Sequence, residues 1–174
     1  MRCCIVYSSC SGNTRTLALA LARGTDIPCL AVRQAPDPQA FDLLALGFWV
    51  RKGAPDARSQ RYMARVRGKR VFLFGTLGAW PDSPQAQRCT RIAHDLLAEG
   101  GNKVLDVFLS QGRVNPRVLA ATQRKGTHTL TRERLLRLRE AERHPDATDC
   151  LAARLCWQRA LDSARHSFEH LAPV

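Results

Sequence analysis

Along the first 110 residues, short continuous apolar runs alternate with stretches whose apolar residues recur at helical spacing. Residues 3–8 (Cys-Cys-Ile-Val-Tyr-Ser) form the first such run, and 27–32, 41–50, 70–75 and 104–109 repeat the pattern. Runs of this length with little polar alternation predict strands buried on both faces. Between them, Leu17, Ala18, Leu21 and Ala22 lie one helical turn apart and Gly24 closes that helix. Residues 58–67 read as a basic surface helix. Over 85–99, Ala86, Cys89, Ile92, Ala93, Leu96 and Leu97 share one face, ended by Gly100-Gly101. Pro36 and Pro38 break the chain after the second run, and 51–57 and 76–84 read as loops rich in Gly or Pro. Strands alternating with helices predict parallel pairing through right-handed crossovers. The expected fold class is α/β, a doubly wound five-stranded parallel sheet with helices on both faces.

Beyond residue 115 the strand pattern stops. Pro116–Thr122 reads as a short helix. Thr131 is placed to cap a helix running to about Arg143, with Leu135 and Leu138 inward, Glu133 and Arg137 as an i,i+4 pair, and Pro145 as the stop. From Thr148 to Leu171, a further helix carries Leu151, Leu155, Ala160, Ala164, Phe168 and Leu171 on or near one stripe. This tail has too few apolar residues to fold alone. The expected organisation is therefore a sheet domain over 1–115 and a C-terminal helical extension over 116–174 packed on it.

Composition narrows the function classes. At 174 residues, with 45% hydrophobic and 24% charged residues, the chain fits one ordinary globular domain and neither a disordered nor a fibrous one. No apolar run has the length of a membrane span, and the N-terminal run turns polar by Ser8, too soon for a signal peptide. A cytoplasmic protein is expected. The seven cysteines are odd in number, lack a CxxC pair and sit partly in apolar runs, which reads as reduced and structural, with no ligand spacing for zinc. The five histidines are scattered and offer no metal site. Lys and Arg total 27 against 15 acidic residues, for a formal charge of +12. That excess is spread along the chain without a basic tail, so it points to an acidic partner and does not by itself make a nucleic-acid binder.

The chemistry-bearing segment follows the first strand: Ser9-Cys10-Ser11-Gly12-Asn13-Thr14 leads directly into a helix. A helix start offers unpaired N–H groups and the positive end of its dipole, and Ser and Thr hydroxyls are expected to add donors, with Thr14 donating from both hydroxyl and backbone. The segment is a candidate phosphate loop. It lacks the GxxxxGK[ST] of nucleotide triphosphatases and the GxGxxG of dinucleotide binders. Cys10 and Arg15 are one residue too close for a cysteine phosphatase.

Residues 5–14 resemble the FMN-phosphate loop of flavodoxins, [ST]-x-[ST]-G-x-T after the first strand. The resemblance extends to the two loops that enclose the flavin ring in that family: here Phe48 and Trp49 follow the third strand, and Thr76, Leu77, Gly78, Ala79 and Trp80 follow the fourth. Gly75 and Gly78 are expected to serve the turn, and Gln111-Gly112-Arg113 lies on the same edge. The runs Gly-Phe-Trp-Val-Arg-Lys-Gly, Phe-Gly-Thr-Leu-Gly-Ala-Trp-Pro-Asp and His-Pro-Asp-Ala-Thr-Asp are similar to a bacterial flavodoxin-like branch that includes the BilS-type flavoproteins associated with bilirubin reductases. What this implies is an FMN-binding electron-transfer protein, with Ser9 to Thr14 on the phosphate and Trp49 and Trp80 as ring-stacking candidates. The acceptor is expected to be an acidic partner reductase, including a bilirubin or tetrapyrrole reductase. An FMN-dependent NAD(P)H oxidoreductase acting on quinone-like acceptors and a basic nucleic-acid-binding domain stand as alternatives. Flavodoxins are acidic around the flavin. Arg51 and Lys52 reverse that charge here, which is expected to raise the flavin's potential.

Overall fold

The computed structural model of the protein describes residues 1–124 and 131–169, with side chains through Ala120 and from Thr131 to His166. The main strands are β1 (Cys3–Tyr7), β2 (Cys29–Ala31), β3 (Leu43–Arg51), β5 (Arg70–Leu77) and β6 (Lys103–Gln111). They form a parallel sheet in the order β2-β1-β3-β5-β6. A two-residue β4 (Ala54–Pro55) folds back antiparallel on the end of β3. The helices are α1 (Asn13–Ala22), α2 (Ala57–Met63), α3 (Pro84–Ala98), α4 (Pro116–Arg124), α5 (Arg132–Ala141) and α6 (Ala147–Glu169).

The continuous apolar runs are explained by two cores, one on each side of the sheet. Alternate residues Cys4, Val6, Leu44, Leu46, Phe48, Val71 and Leu73 pack against Tyr62, Met63 and Val66 at α2 and Cys89, Ala93 and Leu97 of α3. The intervening residues Ile5, Leu43, Ala45, Phe72 and Phe74 pack against Leu17, Ala18 and Leu21 of α1 and Ala153, Trp157, Ala160, Leu161 and Ala164 of α6. Two paired positions settle the strand packing. Gly47 lies beside Phe74 and Phe48 beside Gly75 in the β3–β5 register. A Cβ at Gly47 would meet the Phe74 ring at 2.4 Å, and one at Gly75 the Phe48 ring at 2.7 Å. Each glycine leaves the space its neighbour's ring fills. Gly75 therefore serves strand packing inside β5, where a turn role was expected.

Several boundaries differ from expectation. A short 3-10 turn at Pro38–Ala40 delays β3 to Leu43. The hairpin to β4 carries β3 through Arg51, its turn using Lys52 at φ 54° and Gly53 at φ 75°. β5 runs on to Leu77, so Thr76 and Leu77 end a strand and do not begin a loop.

The tail differs more. Leu151 and Leu155 are 56% and 54% exposed, and the buried stripe of α6 is Ala153, Trp157, Ala160, Leu161 and Ala164. The alanines let α6 lie close against α1 and the sheet, with Trp157 against Phe72 at 5.5 Å between ring centroids. The Phe168 side chain and Leu171 lie outside the described residues. In α5, Leu138 is half-buried, but Leu135 is 44% exposed and Glu133 makes no ion pair with Arg137 among the described residues. No helix of the described residues is long and apolar enough to cross a membrane.

Candidate functional site

The loops after β1, β3, β5 and β6 converge at the carboxyl edge of the sheet, where open α/β folds bind ligands. Gly12 holds φ 92° at the start of α1, its N–H donating to Ser9 Oγ (3.1 Å) and its carbonyl accepting from Thr16 N–H (2.9 Å). α1 has no side-chain cap. By contrast Asp56 caps α2, Ser83 caps α3 and Thr131 caps α5. The first-turn N–H groups of α1 are thus left for an external acceptor.

The side-chain groups of the phosphate loop are engaged elsewhere. Thr14, 1% exposed, hydrogen-bonds Thr76 Oγ1 at 2.9 Å and donates to the Phe48 carbonyl at 3.4 Å. Ser11 Oγ and Asn13 Nδ2 donate to the Arg113 carbonyl at 3.4 and 3.0 Å. Ser8 Oγ donates to Asp56 Oδ1 (2.8 Å), and the other carboxylate oxygen accepts from Ser59 Oγ (2.7 Å). The hydroxyls of Ser11 and Thr14, expected to face a phosphate, here bond to groups of the chain itself. In a half-buried edge each hydroxyl finds a nearer carbonyl or hydroxyl, and the backbone N–H groups are what remain. The hydroxyls instead pin the phosphate loop to the neighbouring loops.

Between these loops lies a cleft of about 110 Å³, lined by Cys10, Ser11 and Asn13, by Trp49 and Val50, by Thr76, Leu77 and Gly78, and by Gly112 to Asn115 with Val118. Of the remaining candidates, Ser9, Gly12 and Thr14 shape the phosphate loop without lining the cleft. Three ring-loop candidates fall elsewhere. Phe48 is fully buried in the core beneath Gly75 and contributes only its carbonyl. Ala79 packs with Leu77 and Ala86. Trp80 is 42% exposed and off the cleft, and its carbonyl accepts from Ser83 N–H and Oγ in the turn that caps α3. Arg51 and Lys52 are exposed at the β3–β4 turn, also outside the lining.

Val114, Asn115 and Val118 line the cleft and were missed. The available signal was Asn115-Pro116, a helix start following the fifth strand of the run on the same edge. Gly112 is required there by contact: a Cβ would stand 2.4 Å from Asn13 Nδ2.

The β6 loop is tied in turn to the corner between α5 and α6. Arg113 N–H donates to the His144 carbonyl (3.1 Å). The His144 ring meets Asp149 Oδ2 through Nδ1 (2.5 Å) and Glu140 Oε1 through Nε2 (3.3 Å). The hydrogen bond to Asp149, opposed by burial and reinforced by Glu140, holds the His144 pKa above the ordinary histidine value. Asp146, whose carboxylate accepts from the Asp149 N–H, is held below the ordinary carboxylate value, chiefly by that bond. Ligating atoms of His144, Asp146 and Asp149 lie within 4.8 Å of one another. Reading the histidines as scattered misses this cluster, because its members meet only through the turn at Pro145. Burial pushes the Cys4 thiol up to about 11 and that of Cys89 up to about 12, consistent with unreactive core cysteines.

A family model described as a flavodoxin domain matches residues 4–158. The flavodoxin-like domain-containing protein BilS of Clostridioides difficile (strain CD3) is 25% identical over 163 residues, covering 88% of this chain and 92% of that protein. Among solved structures, a flavodoxin from the domain Archaea superposes with a TM-score of 0.59 at 15% identity over 95% of this chain and all of the other. A flavoprotein from Lactobacillus acidophilus NCFM, solved in complex with FMN, superposes with a TM-score of 0.50 at 14% identity, covering 73% of this chain and 99% of that one.

Proposed function

The chain belongs to the flavodoxin domain family, and from that premise we propose that it binds FMN in the edge cleft and delivers electrons to an acidic partner reductase. FMN supplies reversible electron transfer when bound. The observation that carries the reading is the bare N-terminus of α1: three other helices are capped by their own side chains, while this one keeps its N–H groups for an acceptor outside the chain. A phosphate is the acceptor such a terminus favours.

The residues fit the cofactor in a consistent way. The N–H groups of the loop from Cys10 to Thr14 would hold the phosphate, with Gly12 allowing the left-handed backbone that turns them outward. The Thr14–Thr76 hydrogen bond and the contact of Thr14 with the Phe48 carbonyl fix the phosphate loop relative to the β3 and β5 loops. Trp49, Leu77 and Gly78 would flank the ring. At about 110 Å³ the cleft is smaller than the roughly 300 Å³ of a closed ligand pocket, so a ring seated there keeps an edge in water. An exposed edge suits a carrier that reacts with a protein and not with an engulfed substrate.

The basic surface supports an acidic partner. Arg33, Arg58, Arg61 and Arg65 line one groove with Tyr62, at the side of the sheet reached from β2 and α2. No carboxylate among the described residues lies within ion-pair distance of these four. The likeness to BilS-type proteins makes a bilirubin or tetrapyrrole reductase the acceptor we favour.

An FMN titration of the purified chain, followed by absorption and flavin fluorescence, tests the reading. Saturable quenching at micromolar FMN is expected, and fluorescence that stays that of free FMN would overturn it. If the FMN-loaded chain oxidises NADPH without a partner, it is a self-sufficient oxidoreductase and not a carrier.

A further inference from the structure

Helix α5 faces the protein with the wrong residues for a structural helix. Leu135 and Leu136 are 44% and 56% exposed, while Arg134 and Arg137 turn inward. Their i,i+3 spacing places both guanidinium groups on one face. Both Nε atoms are buried with no hydrogen-bond partner among the described residues. Burial of an unpaired donor such as Nε is unfavourable. Packing alone would select the opposite orientation, with leucines in and arginines out.

The two arginines line a cavity of about 230 Å³ under the β5 loop. Among the described residues its other walls are apolar (Ala79, Val114, Leu119, Leu138) apart from Gln85, and none of them is acidic. Gly78 and Val114 are shared with the edge cleft, so the two cavities adjoin. Thr131 accepts from the Arg134 N–H, which starts the helix at the register that sends Arg134 and Arg137 inward.

We propose that this cavity is a binding site for the carboxylate of a small organic acid, clamped by Arg134 and Arg137, with the acid's apolar body against Val114, Leu119 and Leu138. Planar guanidinium donors match a carboxylate in geometry and charge. The apolar walls favour an acid with a hydrocarbon chain over an inorganic anion. Neither arginine lines the edge cleft, and no residue of the phosphate loop lines this cavity.

The test uses the full chain, without and with FMN, titrated with hexanoate at constant ionic strength and followed by calorimetry. Hexanol and chloride serve as controls. Saturable hexanoate binding is expected, weakened roughly 10-fold or more in Arg134→Gln and in Arg137→Gln, the loss of one charge-assisted hydrogen bond. Arg137→Lys keeps the charge but lacks the fork, and is expected to weaken binding as well. FMN affinity and far-ultraviolet circular dichroism should be unchanged in all three, which separates this site from the cofactor site and from misfolding. Absence of saturable hexanoate binding, equal binding of hexanol, an equal effect of chloride, or undiminished affinity in the glutamine variants would each overturn the proposal.

Discussion

Gly12 and His144 show how much single residues decide at this sheet edge. At φ 92° a side chain is strained, yet a Cβ at Gly12 meets nothing within 4 Å, so the cost of replacing it is purely conformational. Gly12→Ala is expected to lower the stability of the FMN-free chain by about 1–2 kcal/mol and to weaken FMN binding as the loop relaxes. Urea unfolding and FMN titration of the variant measure the two effects, and an unchanged unfolding midpoint would show that the loop does not need the left-handed turn. His144 carries a raised pKa, so its contribution to stability is complete below the unfolded histidine pKa and is lost as pH rises through the folded value. The melting temperature should therefore fall across that window, and His144→Gln should flatten the fall. A melting temperature that climbs over the same window in the parent chain alone would contradict the assignment. Gly12 was legible from the sequence as a loop glycine. His144 was not, because its partners Glu140 and Asp149 stand on different helices.

At the scale of elements, the strands were read well and the last two helices less well. A strand buried on both faces leaves an unbroken apolar run, which β1, β3 and β5 do. Helices α5 and α6 are apolar or amphipathic in more than one direction, so periodicity alone does not say which face goes in. In α6 the face with Ala153, Trp157, Ala160 and Ala164 is chosen over the one with Leu151 and Leu155, since small residues allow close approach to α1 and one Trp fills the gap over Phe72. Trp157→Ala is expected to cost roughly 3–5 kcal/mol, the range for losing a large buried aromatic. Leu155→Ala should cost under about 0.5 kcal/mol, as for other surface positions. Chemical denaturation of both variants checks the order, and the reverse order would restore the leucine stripe as the buried one.

For the whole molecule the governing quantity is charge. The formal charge is +12; ion pairs form at Arg143, His144, Arg159 and Arg165, but 15 acidic residues cannot neutralise 27 basic ones, so a basic excess is left. Two consequences depend on screening. Electron transfer to an acidic partner should slow as salt is added, since exposed charges steer encounter and the Debye length shrinks to about 3 Å at 1 M. A rate independent of salt would remove electrostatic docking. The flavin potential should likewise sit above that of an acidic flavodoxin at low salt and fall towards it as salt rises, because Arg51 and Lys52 act from the exposed hairpin turn. Potentiometry of the FMN-loaded chain at two ionic strengths measures this.

The sequence by itself determined the fold class, the order of strands and helices, and the loop that presents α1's N-terminus, because these depend on local periodicity and on residues adjacent in the chain. Net charge was legible in the same way, being a sum over residues. Tertiary structure alone decided which side chains meet. Phe48 goes to the core because Gly75 on the paired strand leaves room for its ring. Trp80 is partly exposed beside the turn that caps α3. Thr14 spends its hydroxyl on Thr76, more than 60 positions away in the chain. The cleft itself is completed by Val114, Asn115 and Val118, next to the Arg113 carbonyl that accepts hydrogen bonds from Ser11 and Asn13 some 100 residues earlier. Contacts over such separations follow from how two cores close around one sheet, and no local pattern encodes them.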